Sequence, residues 1–329
     1  MTALANNAPK QNTVRSSQIF GDYIIMMLAP CFVAVWYYGG KFLSVAAVSV
    51  ITALVCDFSA KAILGKIFHL RDFSNIFIGL AIALMLPAGI PLYVPAVAAA
   101  FAVLAVKIPF GGALHAPFVP SAAGFAFISI CFKDLIFDYS VNSETKLLGA
   151  NSIGSMLMKN QSVKIAGSNV FDILAGNVAG PMGTGCGILM IACCVYLFVR
   201  RKKALLATLG FVATCAVCAV VSPRINIPET SGAVSALLTS VVLELSAGSL
   251  MFAGVFLLTD HATLPQNGLV RVIYGAVCGV VCMKMRELGV FEETVCFAIL
   301  LANGLRPLLD STFGILPSLL PKRKGAAEK

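Results

Sequence analysis

Apolar runs of roughly 15 to 20 residues, separated by short polar breaks, recur along nearly the whole chain, and each is long enough to cross a hydrocarbon layer. In lipid such a run must be helical, because every backbone N–H and C=O has to find its partner inside its own segment. A soluble domain keeps about a quarter of its residues charged. Here only 12% are charged, 59% are hydrophobic and the mean hydropathy is +0.91. The pattern predicts an all-α polytopic membrane protein with about ten spans.

The expected spans are 22–38, 42–57, 74–90, 92–107 and 120–137, then 186–199, 204–222, 244–259, 268–285 and 289–305. A further apolar stretch, Ser231 to Leu243, reads as a re-entrant or broken helix. Segment 1–21 is polar, lacks the apolar core and cleavage site of a signal peptide, and reads as a cytoplasmic tail. Segment 22–137 forms the first five-helix repeat, 138–185 an outer segment, 186–312 the second repeat, and 313–329 a basic tail.

Lysine and arginine placement orients the chain. With the N-terminus inside, the inner side receives Lys10, Arg15, Lys61, Lys66, Arg71, the run Arg200 to Lys203, and Lys322-Arg323-Lys324. Short outer loops receive Lys41, Arg224, Lys284 and Arg286. Positive-inside bias therefore predicts both termini in the cytoplasm, in a cell (inner) membrane. The net charge of +9 is spread over span ends and implies no nucleic-acid partner.

The halves echo each other. Phe77-Ile78-Gly79, leading to Leu86-Pro87, is matched by Phe252-Ala253-Gly254, leading to Thr259-Asp260. With an odd number of spans per half, the second repeat enters the membrane inverted, and such repeats place sites at their interface.

Most of the eleven cysteines lie in apolar runs and read as small hydrophobes. His69, His115 and His261 have no metal-ligand spacing, and no Walker loop, nucleophile elbow or dinucleotide fingerprint occurs. Asp260 closes an apolar span, where a carboxylate is costly unless solvated or paired. Glu244, deeper in an apolar run, reads as a cap on the break after 231–243.

Three stretches resemble the RnfD/NqrB family of flavin-carrying membrane subunits, found in the Rnf electron-transport complex and the Na+-translocating NADH:quinone oxidoreductase. They are Ala83-Leu84-Met85-Leu86-Pro87 with Lys107, Phe110-Gly111-Gly112 and Phe118 to Gly124; Leu258 to Pro265; and Phe297 to Asn303 with Pro307 to Asp310. The resemblance implies two inverted five-helix repeats of urea-channel-like architecture. It also implies FMN held by a phosphoester to a threonine before the sixth span, and a second, non-covalent flavin such as riboflavin. The implied role is electron relay in an ion-translocating ferredoxin:NAD+ complex of the Rnf type. Its other components, of the A, B, C, E and G types, are the implied partners, and Na+ or H+ is the coupling ion.

The matching place reads Gly180-Pro181-Met182-Gly183-Thr184-Gly185-Cys186. Both motif glycines are present, but without a gap Thr184 falls on the family's glutamate and Gly185 on its acceptor threonine. Thr184 is the candidate acceptor, with Gly180, Gly183 and Gly185 around it; a glycine turn entering a helix explains the same residues. Thr230, within Glu229-Thr230-Ser231, is the rival, and helix capping explains it equally. Gly111, Gly112 and Asp260 complete the candidate set, with close helix packing as the other reading of the glycines. A solute channel or a cofactor-free scaffold remains the alternative function.

Overall fold

A computed structural model describes residues 2–65, 72–139, 152–158, 174–176, 179–223, 233–289 and 291–313, with side chains from Ser17 onward except at 155, 156, 158 and 233–236. Much of the 138–185 segment, Thr230 and the tail beyond Phe313 lie outside the described residues. Every regular element among the described residues is helical.

The first half comprises α1 (Thr2–Tyr38), α2 (Gly40–Ile63), α3 (Ser74–Met85), α4 (Tyr93–Phe101, continued by a π-helical turn over Ala102–Lys107) and α5 (Pro120–Cys131). Two short helices, α6 (Lys133–Ile136) and α7 (Ile153–Met158), follow. The second half comprises α8 (Gly187–Arg200), α9 (Lys202–Val221), α10 (Ala233–Ser246), α11 (Leu250–Phe252, continued by a π-helical turn over Ala253–Leu257), α12 (Gly268–Glu287) and α13 (Val295–Phe313). The polar N-terminal segment continues without a break into the first span as one helix.

Among the described residues, five helices are long and apolar enough to cross a membrane: Ser17–Tyr38, Gly40–Ile63, Lys202–Val221, Gly268–Glu287 and Val295–Phe313. The bent pair Leu237–Ser246 and Leu250–Leu257, at 71°, makes a sixth if taken as one span. Ser74–Met85, Tyr93–Lys107, Pro120–Cys131 and Gly187–Arg200 are shorter. A helix of 12 residues such as α3 reaches only about 18 Å, well short of a 30 Å hydrocarbon core. The expected span 74–90 therefore stops early, and the cause is local. Pro87 excludes the helical conformation from the residue before it, and Leu86 is extended at φ −94°, ψ 154°. The break expected near 231–243 falls at Gly248, whose φ of +63° no helix accommodates.

The two halves pack their helices in the same order: α3 lies against α1, α2 and α5, and α11 with its π-turn against α8, α9 and α13. Gly79 and Gly254 occupy equivalent places. A Cβ on Gly79 would meet the Val50 backbone of α2 at 2.7 Å, and one on Gly254 would meet the Phe211 ring of α9 at 2.9 Å. The halves are also inverted. Along α1 and α8 the Tyr38 hydroxyl meets the Gly180 carbonyl, Cys193 Sγ meets the Met26 carbonyl and Arg200 meets Asp22, so one helix ascends as the other descends. Along α5 and α13 Phe118 lies beside Gly304 and Lys133 over the Phe291 ring, the same antiparallel sense.

The first face is the end of the bundle where α1 begins, and the second face is the end where it stops. Ile25, Leu28, Phe32, Trp36, Val195, Phe198 and Leu209 are exposed. Apolar surface on this scale marks contact with lipid or protein rather than water.

Candidate functional site

The turn that leads into α8 sits at the second face and is held by backbone pairing to the end of α3. Met182 N donates to the Leu86 carbonyl at 3.0 Å and Gly183 N to the Leu84 carbonyl at 2.9 Å. These bonds satisfy carbonyls that α3 leaves unpaired where it stops. Gly183 is needed for the approach, since a Cβ there would collide with the Leu84 side chain. The N–H groups of Met182 and Gly183 are thus committed to α3 and are not available to an anion. This narrows the phosphate-cradling role expected of these glycines. Gly180 is open on its Cα side and its carbonyl accepts from the Tyr38 hydroxyl at 3.4 Å. Gly185 rests near Gly176.

Thr184 is buried, 3% exposed, and its Oγ1 has no hydrogen-bond partner among the described residues. A buried hydroxyl without a partner is costly and asks for an explanation. Esterification supplies one, since it removes the proton that would otherwise need an acceptor. Three residues on, α8 begins at Gly187 behind Cys186, with no side-chain cap. Its first-turn N–H groups and the positive end of its dipole face the same turn. A group esterified at Thr184 would place its charge before α8 rather than on the Gly183 N–H, and the enclosed Oγ1 would require the turn to open around it.

Asp260 lies elsewhere, in the turn after α11 toward the first face. It is 2% exposed, and its Oδ1 has no partner among the described residues. Burial raises its pKa to about 7, against the opposing pull of the Ala262 and His261 backbone N–H groups and of Arg201. Next to it, the Tyr23 hydroxyl donates to the Thr259 carbonyl at 2.5 Å, and Arg201 stacks over the Tyr23 ring. Gly111 (φ +84°) and Gly112 (φ +117°) form the turn after Lys107, with Gly112 N donating to the Lys107 carbonyl at 2.9 Å. The candidate set is therefore not one constellation. Gly180, Gly183, Thr184 and Gly185 share one turn at the second face, whereas Asp260 and the Gly111–Gly112 turn belong to the other end.

Two buried charge clusters carry most of the polar structure that sequence reasoning missed. At the first face, Lys107 Nζ lies 3.2 Å from Asp57, 3.1 Å from Asp72 and 2.6 Å from Asn75 Oδ1. Burial would raise the Asp72 pKa, but Lys107, the Ser74 hydroxyl and Lys61 overcome it and hold the carboxyl at about 2. At the second face, Arg286 bonds the Glu244 carboxylate at 3.3 Å and the Glu244 and Ala247 carbonyls at 3.0 and 2.9 Å. Glu293 accepts from Ser249 N and Oγ at 2.8 and 2.6 Å, and burial raises its pKa against the pull of Arg286 and Ser249. Arg286, rather than Glu244, therefore caps the end of α10, and the Glu244 carboxylate serves as its ion partner. Arg286 itself, expected in an outer loop, is 4% exposed in the last turn of α12. The hydrogen-bonded partners in these clusters stand as far as 44 residues apart, too far for any spacing rule. The available signal was Asp57 and Lys107 inside apolar runs.

Comparison of the sequence with known proteins finds relatives of the chain. The model of the NQR2, RnfD, RnfE family matches residues 5–314. The chain is 25% identical to the D subunit of the ion-translocating oxidoreductase complex of Salmonella dublin, over 98% of this chain and 99% of that protein. Identity and coverage are the same for the protein of that name from Salmonella paratyphi A, and 24% identity is found for that of Salmonella enteritidis PT4.

Proposed function

The chain belongs to the NQR2, RnfD, RnfE family, and from that membership we propose that it is the D-type membrane subunit of an ion-translocating ferredoxin:NAD+ oxidoreductase complex, with FMN esterified to Thr184. The single observation that carries the anchor is the buried Thr184 Oγ1 in front of α8, which has no hydrogen-bond partner among the described residues. Bound FMN supplies one-electron transfer; the protein's part is to fix its position and exclude water around it. Thr184 holds the phosphate and the α8 N-terminus offsets its charge. Backbone pairing of Met182 and Gly183 to the end of α3 fixes the turn.

The chain on its own is not the catalyst. Other components of the complex, of the A, B, C, E and G types, supply the ferredoxin and NAD+ sites, and the assembly couples electron flow to Na+ or H+ movement. The positive-inside pattern supports an inner membrane with both termini cytoplasmic, so the first face is cytoplasmic and Thr184 lies toward the outer side.

Fluorescence of the chain on a denaturing gel tests the anchor. A flavin band is expected from the wild type and none from Thr184→Ala. A band that survives that substitution moves the anchor elsewhere, with Thr230 the next acceptor to replace. A colourless wild-type chain from an intact assembly would favour a cofactor-free scaffold or a solute channel instead.

A further inference from the structure

We propose that Glu293 is a proton-binding site at the second face, and that the proton it holds locks the bend between α10 and α11. The bend is 71° and turns on Gly248, at φ +63°. Its far side begins at Ser249, where Glu293 Oε1 accepts from the backbone N at 2.8 Å and Oε2 pairs with the hydroxyl at 2.6 Å. Space as well as φ demands glycine at 248, because a Cβ there would occupy the place of the Glu293 carboxyl. One side chain from the corner between α12 and α13 therefore fixes where α11 starts.

The other repeat carries the same cap. Five residues before the equivalent Gly79 and Gly254 stand Ser74 and Ser249. Asp72 Oδ1 accepts from Ser74 N and Oγ at 3.3 and 2.8 Å. The two caps differ in charge. Asp72 has two ammonium groups on it, Lys107 at 3.1 Å and Lys61 at 3.5 Å. Glu293 is fully buried. The groups that face it are Arg286 and Cys282 from α12, Cys296 from α13 and Tyr139 from the segment after α6, with Glu292 beside it in the chain. Thiols and a phenol offset no charge. Arg286 gives its hydrogen bonds to the Glu244 carboxylate and to the Glu244 and Ala247 carbonyls, so the guanidinium is matched to a carboxylate other than Glu293. A buried carboxylate with no cation bonded to it is costly and neutralises by taking a proton. Neutral Glu293 keeps both cap bonds: Oε1 still accepts from Ser249 N, and the Oε2 proton is donated to Ser249 Oγ. When that proton leaves to water at the second face, the carboxylate is solvated only if the cap opens. The closed bend thus binds the proton more tightly than the open one, and rising pH favours opening. The mirrored cap, held as a carboxylate by its two lysines, stays closed over the same range.

Amide hydrogen exchange of the full chain in detergent tests the lock. Peptides over 245–252 and 72–80 are followed, with rates corrected for the intrinsic effect of pH on exchange. In the first, opening should grow by up to about tenfold per pH unit, the limit for one linked proton. The growth starts above 4.5, the ordinary value for this carboxyl, and levels off above its raised value. The 72–80 peptide should stay flat. Glu293→Gln keeps a neutral group whose oxygen accepts from Ser249 N and whose amide donates to Oγ, so its 245–252 peptide should stay closed and flat as well. A wild-type 245–252 peptide insensitive to pH overturns the lock, and so does a Glu293→Gln chain that retains the wild-type slope. Parallel loss of protection in both peptides marks loosening of the whole bundle and equally overturns it. The wild-type series decides the question even where the variant does not fold.

Discussion

Tyr23 and Thr259 stand 236 residues apart in the chain, and the Tyr23 hydroxyl donates to the Thr259 carbonyl at 2.5 Å. Tyr23 is on the first helix of one half, and Thr259 follows the short helix of the other. The reciprocal contact exists at the other face, where Gly183 N, just before the first helix of the second half, donates to Leu84 at the end of α3. Each short helix is thus finished by the opposite repeat. Tyr23→Phe should leave the Thr259 carbonyl short of a donor in a dry site and cost about 1–3 kcal/mol. A lower melting temperature in detergent checks this, and an unchanged one would show that the carbonyl finds another donor.

Lys107 is the hub of the first-face cluster and is fully buried, as is Asp57. Lys107→Met removes the cation and leaves two carboxylates together, with Lys61 the remaining cation bonded to them among the described residues. Breaking a buried pair in this way costs about 3–5 kcal/mol, enough to lose the folded chain from detergent extracts. Removing both sides, with Lys107→Met and Asp57→Leu together, should recover part of the loss. Asp72 gives the same cluster an acid limit. Its folded pKa of about 2 lies below the ordinary 3.8, so its contribution is present above the ordinary value and is lost as pH falls toward 2.

Asp260 has the opposite sign. Its pKa is raised from 3.8 to about 7, so the folded chain keeps a proton that the unfolded chain releases. Stability from this group is complete below pH 3.8 and declines as pH rises through about 7. Asp260→Asn should flatten the melting curve's pH dependence in that window and stabilise the chain at pH 8. An unchanged slope between pH 4 and 7 would mean that the carboxyl is ionised throughout.

The close seam between α9 and α12 depends on missing side chains. A Cβ on Gly275 would run into the Ala207 carbonyl, which is backbone and cannot swing aside. Gly275→Ala should force the helices apart and cost about 1–3 kcal/mol or more. Gly180 has open space where its Cβ would be, so Gly180→Ala should be neutral by the same thermal assay. Equal effects would remove the packing argument.

Much of the fold is legible from local pattern. The glycine echo at Gly79 and Gly254 identifies the repeat because both positions face the same kind of close approach. The weak segment before Glu244 marks the broken helix because Gly248 interrupts it. The length of α3 is not legible in the same way: its apolar run continues past Leu86-Pro87, and apolar runs report burial, not helix ends. The candidate site is legible only as a turn. Its glycine N–H groups look available in the sequence, yet α3 takes those of Met182 and Gly183.

Hydropathy, read along the chain, determines that this protein is a bundle of membrane helices, because hydropathy depends on residues near one another in sequence. Tertiary structure alone decided that Lys107 is neutralised by Asp57 and Asp72 and that Arg286 closes the broken helix. Each of these joins groups distant in the chain, and their meeting depends on how helices cross and where they stop.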